Sequence, residues 1–292
     1  MTNNIFKKEI KKAAILTEAL PYIKEFNGIT VVIKYGGAAL VNEEVKNSLI
    51  KDIALMKYVG FKPVLVHGGG KDINKMLERL NIKSEFKNGL RVTNEETMDT
   101  VQMVLAGKLN KDLASELCAH GINAVGLCGK DANLLQCTKM LSNGEDIGQV
   151  GEVAEVNTEL IRTLLDNDFV PVISPIGVGI EDNKSYNINA DYAAVAVAGA
   201  LKAEKLVFIT DVPGLLEDVN DPDSILSVIH ADEVREMIAD GTISGGMLPK
   251  INCCIAGVEA GVSHVHIIDG RIEHCLLLEI FTKRGVGTLI EG

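Results

Sequence analysis

The strongest constraint on this chain is the character and spacing of its apolar runs. Ile29 to Lys34, Pro63 to Val66, Phe169 to Ser174, Lys205 to Thr210 and Val265 to Ile268 are short, rich in β-branched residues and nearly free of polar alternation. Stretches with helical spacing lie between them. A strand that is apolar on both faces must be covered on both faces, and parallel sheets achieve this with helices above and below. The alternation therefore predicts an α/β fold: a three-layer αβα sandwich around a mostly parallel central sheet. Helices are predicted over Glu43 to Val59, from Gly70 to Leu80, Thr158 to Asp166, Ala190 to Leu201, Ala231 to Ala239, Leu248 to Ala260 and His274 to Phe281. Thr93-Asn94-Glu95-Glu96 reads as a capping box that opens a long helix to about Cys118. Ile122 to Leu127 reads as a further strand, and Leu134 to Lys139 with Gln149 to Ala154 as a hairpin. There is no fixed-period repeat and no linker between independent domains.

One element stands outside this rhythm. From Ile5 to Phe26, Phe6, Ile10, Ala13, Leu16 or Ala19, Leu20 and Ile23 recur at three- and four-residue steps, the pattern of an amphipathic helix. Pro21 predicts a kink or break one turn earlier, and Asn27-Gly28 ends the pattern. Such a helix must bury its apolar face, either on its own core or on another subunit. Its lysines at 7, 8, 11 and 12 are interrupted by Glu9 and Glu18 with no apolar run behind them, so it is not a signal peptide. No apolar stretch approaches the roughly 18 residues of a membrane span.

Charge narrows the partners. With 29 basic against 40 acidic residues the formal net charge is −11, a field that repels nucleic acid. The absence of Trp also leaves few stacking platforms. The cysteines Cys118, Cys128, Cys137, Cys253, Cys254 and Cys275 form no CxxC pair and read as small core residues of a cytoplasmic protein.

Glycines supply the chemistry. In open parallel sheets, ligands bind beyond the carboxyl ends of the strands. Two glycine clusters are predicted there: Lys34-Tyr35-Gly36-Gly37 and His67-Gly68-Gly69-Gly70. Successive glycines let backbone N–H groups converge on an anion, so the pair points to a phosphate site rather than to tight turns alone. There is no GxxxxGK[ST], no GxGxxG and no HRD–DFG set, which excludes P-loop, dinucleotide-fold and protein-kinase machinery. Phosphoryl transfer outside those classes still needs cations. Lys34 and Lys250, the latter after Gly245-Gly246-Met247-Leu248-Pro249, are the candidates.

The motifs VIKYGGAAL (32–40), VLVHGGG (64–70), KNGLRVT (87–93), YNINADYAA (186–194), ITDVPGLL (209–216) and GGMLPKI (245–251) run in order through nearly the whole chain. Together they resemble the acetylglutamate kinases of the amino-acid-kinase family. The resemblance implies transfer of the ATP γ-phosphoryl group to the side-chain carboxylate of N-acetyl-L-glutamate, in arginine biosynthesis. It implies catalytic roles for Lys34, Lys250 and Asp191, with Asp191 orienting both lysines. Gly69, Gly70, Arg91 and Asn187 would bind the amino-acid substrate, Arg91 as a clamp on its α-carboxylate. Gly36, Gly37, Gly68, Asp211, Gly214 and Leu215 would serve the phosphates and nucleotide. Magnesium would bridge the ATP phosphates with few protein ligands. Because a carboxylate is already ionised near pH 7, no base is needed, and His67 reads as structural.

The N-terminal helix and the stretch His266 to Thr288 further resemble the branch of the family that L-arginine inhibits. That branch implies a homohexamer, a trimer of dimers interlaced by the N-terminal helices. It places an arginine site near His266, Glu279 and Gly285, with Glu279 as the guanidinium partner. The implied organisation is residues 1–28 as an oligomerisation helix, 29–199 as the acetylglutamate lobe and 200–292 as the ATP lobe. A PII-type regulator is left undecided. The competing readings are a kinase of free glutamate or aspartate, and a non-catalytic amino-acid sensor.

Overall fold

The computed structural model describes residues 6–36, 43–218, 221, 224–243, 245–282 and 284–292. In chain order the first half contains α1 (Lys7–Glu25), β1 (Thr30–Tyr35), α2 (Glu43–Tyr58), β2 (Lys62–His67), α3 (Gly70–Arg79), β3 (Phe86–Lys87), β4 (Leu90–Arg91), α4 (Glu95–Gln102) and α5 (Asn110–Ala119). It continues with β5 (Ala124–Cys128), β6 (Leu135–Ser142), β7 (Glu145–Val156), α6 (Glu159–Asp166), β8 (Val170–Ser174), β9 (Ile176–Gly179), β10 (Ser185–Ile188) and α7 (Ala190–Leu201). The remainder is β11 (Lys205–Thr210), β12 (Val228–His230), α8 (Ala231–Ala239), α9 (Leu248–Glu259), β13 (His264–Asp269), α10 (Cys275–Phe281) and β14 (Thr288–Glu291).

Eight strands form the central sheet in the order β12-β14-β13-β11-β1-β2-β8-β5. Every neighbour pair is parallel except β13–β14. Strands from the two halves of the chain meet at a single seam, β1 against β11, with Lys34 opposite Phe208. Helices α6 to α9 cover one face over a core that includes Ile161, Ala193, Val197, Val234 and Cys254. The opposite face is covered by α2, α5 and α10 through Leu49, Ile53, Leu113, Leu117 and Leu276. The αβα expectation holds.

Several local expectations change. Helix α1 runs unbroken through Pro21; the proline has no N–H for the Thr17 carbonyl, which lies on an exposed turn where that loss is tolerated. The capping residue of α4 is Asn94, whose side chain accepts from the Thr97 N–H at 2.8 Å, not Thr93. Thr93 is buried and its hydroxyl donates to the Arg91 carbonyl. Between α4 and α5 the helical path passes through a π-helical stretch, Met103–Leu109. The predicted hairpin is real, but it closes with β9 and β10 into a small four-stranded barrel.

Helix α1 buries little of its apolar stripe on this chain: Phe6, Ile10, Ile15, Leu16 and Leu20 are all exposed. Only its end is anchored. There Phe26 stacks between Tyr22 and Phe61, and Phe61 meets Phe281 edge-on at 5.8 Å. Among the described residues no helix is long and apolar enough to cross a membrane.

Candidate active site

The carboxyl ends of β1 and β2 lie side by side, Lys34 opposite Val66 and Tyr35 opposite His67. Lys34 leaves the sheet there, and its Nζ is 2.9 Å from Asp191 Oδ1. Asp191 occupies the first turn of α7. The helix cap is not Asp191 but Asn189, whose Oδ1 accepts from the Asp191 N–H at 2.8 Å. The aspartate side chain is thus left free for the lysine, and both side chains are mostly buried.

The glycine loops close around this pair. The Gly68 N–H donates to the Tyr35 carbonyl at 2.9 Å, extending the β1–β2 ladder by one bond. Gly69 then serves as the N-cap of α3 without any side-chain cap. The first N–H groups of a helix have no intrahelical acceptor, so those of Gly69 and Gly70 are available to an anion. A Cβ on Gly69 would lie 2.4 and 2.5 Å from Leu109 Cδ1 and Leu105 Cδ2, so a side chain there would have to displace both leucines. A Cβ on Gly36 would stand 3.2 Å from Lys34 Nζ and crowd the ammonium. Gly37 lies outside the described residues.

These groups line a cleft of about 270 Å³ together with Arg91, Asn187, Phe86, Leu105 and Ile188. The Arg91 guanidinium donates through Nη1 to Ser84 Oγ at 2.5 Å and through Nη2 to the Gly70 carbonyl at 3.2 Å. It also sits 4.6 Å from the centre of the Phe86 ring. Asn187 Nδ2 donates to Thr93 Oγ1 at 3.2 Å. Lys34, Asp191, Gly36, Gly68, Gly69, Gly70, Arg91 and Asn187 therefore converge as expected. The cleft holds one acidic group that is already neutralised and a buried guanidinium, so it suits an anion.

Lys250 departs from expectation. Asp191 does not orient it; its ammonium meets Thr210 Oγ1 and, at 3.1 Å, Asp211 Oδ1. The reason is position: Lys250 enters α9 beside the carboxyl end of β11, where Thr210 and Asp211 are the groups within reach. The hydrogen bond from Lys250 holds the Asp211 carboxyl below its ordinary 3.8. In the loop after β11, Gly214 has φ +143°, and a Cβ there would be 2.6 Å from Thr288 Oγ1. The Leu215 N–H donates to that hydroxyl at 2.8 Å and the Leu215 side chain is in the core. Gly214 and Leu215 thus tie the loop to β14, while Asp211 stays exposed at its start.

His67 is buried, and burial lowers its imidazole to about 4, well under the ordinary 6.5. The ring is neutral at any ordinary pH, which bars it from general-base work that requires a pKa near 7.

A second cluster lies between the end of α1 and α10. His266, Glu279 and Gly285 line one pocket with Tyr22, Phe26, Lys205 and His264. Glu279 Oε1 accepts from His266 Nδ1 at 2.8 Å, and Oε2 accepts from the Val286 and Gly287 N–H groups at 2.8 and 3.0 Å. Burial would raise the Glu279 carboxyl, but these donors outweigh it and hold it ionised. Burial also keeps His266 neutral, and its Nε2 is buried without a partner. Three of the four acceptor directions of Glu279 are spent, leaving one. Lys205, missed in the sequence, is buried with its Nζ 4.5 Å above the Phe26 ring. A lysine opening an otherwise apolar strand, KLVFIT, was the available signal.

Among the described residues no group of three or more His, Cys, Asp or Glu is placed to hold a metal ion. Four of the six cysteines are buried, Cys128 is half-buried and Cys118 is exposed.

A model of the amino acid kinase family matches residues 30–269. The chain is 54% identical to the acetylglutamate kinase of Heliobacterium modesticaldum over 292 aligned residues, covering 97% of this chain and 99% of that one. It is also 54% identical to the acetylglutamate kinase of Caldicellulosiruptor bescii, covering 96% and 97% of the two chains. Among solved structures it resembles the N-acetylglutamate synthase of Neisseria gonorrhoeae complexed with coenzyme A and N-acetyl-glutamate, with a TM-score of 0.83 at 28% identity. That match covers 96% of this chain, which spans 63% of the synthase. Giardia carbamate kinase, at 19% identity and a TM-score of 0.67, shares the fold.

Proposed function

The chain belongs to the amino acid kinase family and, within it, to the acetylglutamate kinases, and from that premise we propose how its residues carry the reaction. The enzyme phosphorylates the side-chain carboxylate of N-acetyl-L-glutamate at the expense of ATP. Two anions must be brought together, so catalysis consists of positioning and charge neutralisation. Arg91, fixed by Ser84 and the Gly70 carbonyl, clamps the α-carboxylate with its remaining donors. Asn187 orients the amino-acid moiety. The N–H groups of Gly69 and Gly70 and the Lys34 ammonium hold the transferring phosphoryl between acceptor and nucleotide. Lys250, one strand over, neutralises the nucleotide side, with Asp211 as its resting partner. Mg²⁺, bound with the nucleotide, would add charge neutralisation to that of the two lysines. Asp191 and Asp211 both rest against lysines.

The observation that carries this reading is the Lys34–Asp191 pair, 2.9 Å apart, among the open N–H groups of the glycine loop. A pure amino-acid sensor has no use for a lysine aimed at a γ-phosphate. The test is ADP release with N-acetylglutamate, glutamate and aspartate as separate acceptors. Turnover of acetylglutamate alone is expected; turnover of free glutamate or aspartate in its place would overturn the assignment.

We further propose that L-arginine inhibits the enzyme through the pocket of Lys205, His266, Glu279 and Gly285. A similar protein, the Neisseria gonorrhoeae synthase at 26% identity, is known complexed with L-arginine. The unpartnered His266 Nε2 and the remaining acceptor direction of Glu279 suit guanidinium N–H donors, and Lys205 suits a carboxylate. The exposed stripe of α1 supports its use between subunits of a hexamer. Deleting residues 1–26 is expected to abolish both arginine inhibition and the hexamer while sparing turnover; persistent inhibition in the truncated enzyme would refute the link. The two halves of the sheet support an acetylglutamate lobe before residue 200 and an ATP lobe after it.

A further inference from the structure

His67 has no part in the chemistry above, yet it lies at the base of the glycine loop and its ring is buried. Its surroundings determine which nitrogen carries the proton. Asn110, itself fully buried, donates from Nδ2 to the Val172 carbonyl at 2.8 Å. A carbonyl only accepts, so the amide nitrogen must occupy that side. The same nitrogen gives its second hydrogen to His67 Nε2 at 3.2 Å. Nε2 is therefore the acceptor, and the ring proton is on Nδ1. At 2.9 Å from Nδ1 stands the Gly68 carbonyl, again an acceptor only. A carbonyl at each end closes the chain of donors in one sense.

What this chain grips is the peptide between Gly68 and Gly69. Peptides flanked by glycines rotate most freely, because neither residue has a Cβ to restrict them. In a trans peptide the C=O of one residue and the N–H of the next point in opposite directions. With the Gly68 carbonyl turned back toward His67, the Gly69 N–H faces the other way, into the cleft lined by Lys34, Arg91 and Asp191. Were the peptide to flip, a carbonyl oxygen would meet the phosphoryl group. We propose that His67, held with its proton on Nδ1 by Asn110, is a positioning residue that fixes the Gly68–Gly69 peptide so that the Gly69 N–H remains a phosphoryl donor.

The π-helical stretch Met103–Leu109 belongs to the same device. Its extra residue turns the start of α5 by about 100° relative to an uninterrupted α-helix. That turn delivers Asn110 to His67 while Leu105 and Leu109 press against Gly69. Burial keeps the imidazole at about 4, so Nε2 stays unprotonated and able to accept at neutral pH. The charge of Lys111 on α5 also disfavours the imidazolium; the other titratable groups around the pocket that His67 lines are Tyr35 of β1, Glu43 and Lys46 of α2, Asp72 of α3, Lys108 of the π-helical stretch and Asp112 of α5.

The proposal rests on the phosphoryl-transfer reading, and the experiment separates the two. Turnover of acetylglutamate by the full-length wild-type enzyme is measured first; its absence would break the functional reading. In an active enzyme, ¹⁵N NMR of the histidine rings is expected to show His67 as the Nδ1-protonated tautomer, unchanged from pH 8 to pH 5. His67→Leu, which removes the donor, is expected to lower kcat about 10- to 100-fold while KM for acetylglutamate stays within about threefold. His67→Asn places an amide nitrogen where Nδ1 was and is expected to recover kcat to within about fivefold. An Nε2-protonated ring, titration above pH 5, equal loss in both variants, or a loss confined to KM would each overturn the proposal. If His67→Leu does not fold, the wild-type tautomer together with His67→Asn decides it.

Discussion

The two lysine–aspartate pairs are made of the same chemical groups but built on different foundations. Lys34 and Asp191 have side chains 14% and 22% exposed; for Lys250 and Asp211 the figures are 32% and 62%. The first pair grows out of the core. Lys34 continues a strand whose Val31, Val32 and Ile33 are wholly buried, and Asp191 sits in the first turn of a helix whose Ala193 and Ala194 are equally so. The second pair joins the end of β11 to the start of α9 at the surface. Charges withdrawn from water interact strongly and are screened little by salt, whereas an exposed pair contributes at most about 1 kcal/mol. In the proposed mechanism the acceptor side of the site is thus set before any substrate arrives, while the nucleotide side is held lightly and can be redirected by the phosphates.

The largest effects should separate the lysines. Lys34→Ala is expected to lower kcat about 1,000-fold and Lys250→Ala about 100-fold in an ADP-release assay; equal losses would erase the distinction. Their partners should differ in kind. Asp191→Asn is expected to cost about 10- to 100-fold in kcat, and Asp211→Asn less than about fivefold, appearing mainly in KM for ATP. Urea unfolding at pH 7 offers a finer comparison. Asp191→Asn strands a mostly buried ammonium and should cost about 1–2 kcal/mol, reduced from the fully buried case by the remaining solvent contact. Asp211→Asn should stay within about 0.5 kcal/mol. The smallest effect is one of pH. Because Lys250 holds the Asp211 carboxyl below 3.8, that pair stabilises the fold above the unfolded carboxyl's pKa and loses its contribution as pH falls through the folded value. In Lys250→Ala the Asp211 midpoint, followed by carboxyl ¹³C NMR, should rise toward its ordinary position; an unmoved midpoint would detach the two groups.

The sequence discloses these features unevenly. Strands apolar on both faces, such as Lys62–His67 and Lys205–Thr210, were legible because burial on two sides dictates their composition. Ile176–Gly179 was not: half of it is glycine, and it becomes a strand by pairing with Ser185–Asn187 on one side and with Gln136 and Cys137, forty residues earlier, on the other. Val228–His230 and Thr288–Glu291 escaped for a similar reason, since each is short and, among the described residues, the first pairs only with the second, sixty residues later in the chain. At the site, Lys34 and Asp191 stood out through their motifs, and the structure joins them. The pairing of Lys250 with Asp211 was invisible, because which of two aspartates a long flexible side chain meets depends on where β11 ends. The grip of His67 on Gly68 was hidden more deeply still: no spacing rule reports which ring nitrogen carries a proton.

The seam between β1 and β11 has a consequence for how the enzyme is made. β1 finds its neighbour β2 within about 30 residues, but its other neighbour begins at Lys205. During synthesis, until that segment leaves the ribosome, one side of β1 is an unpaired edge of the kind that recruits other strands. The wait, at about 5–20 residues per second, lasts on the order of ten seconds. Pairing so distant in sequence is also slow in its own right. The strand that carries Lys34 is therefore the first of the sheet to be translated yet is enclosed only once β11 arrives, and a chain cut short before residue 205 would have half its sheet, neither Asp211 nor Lys250, and an open edge along β1.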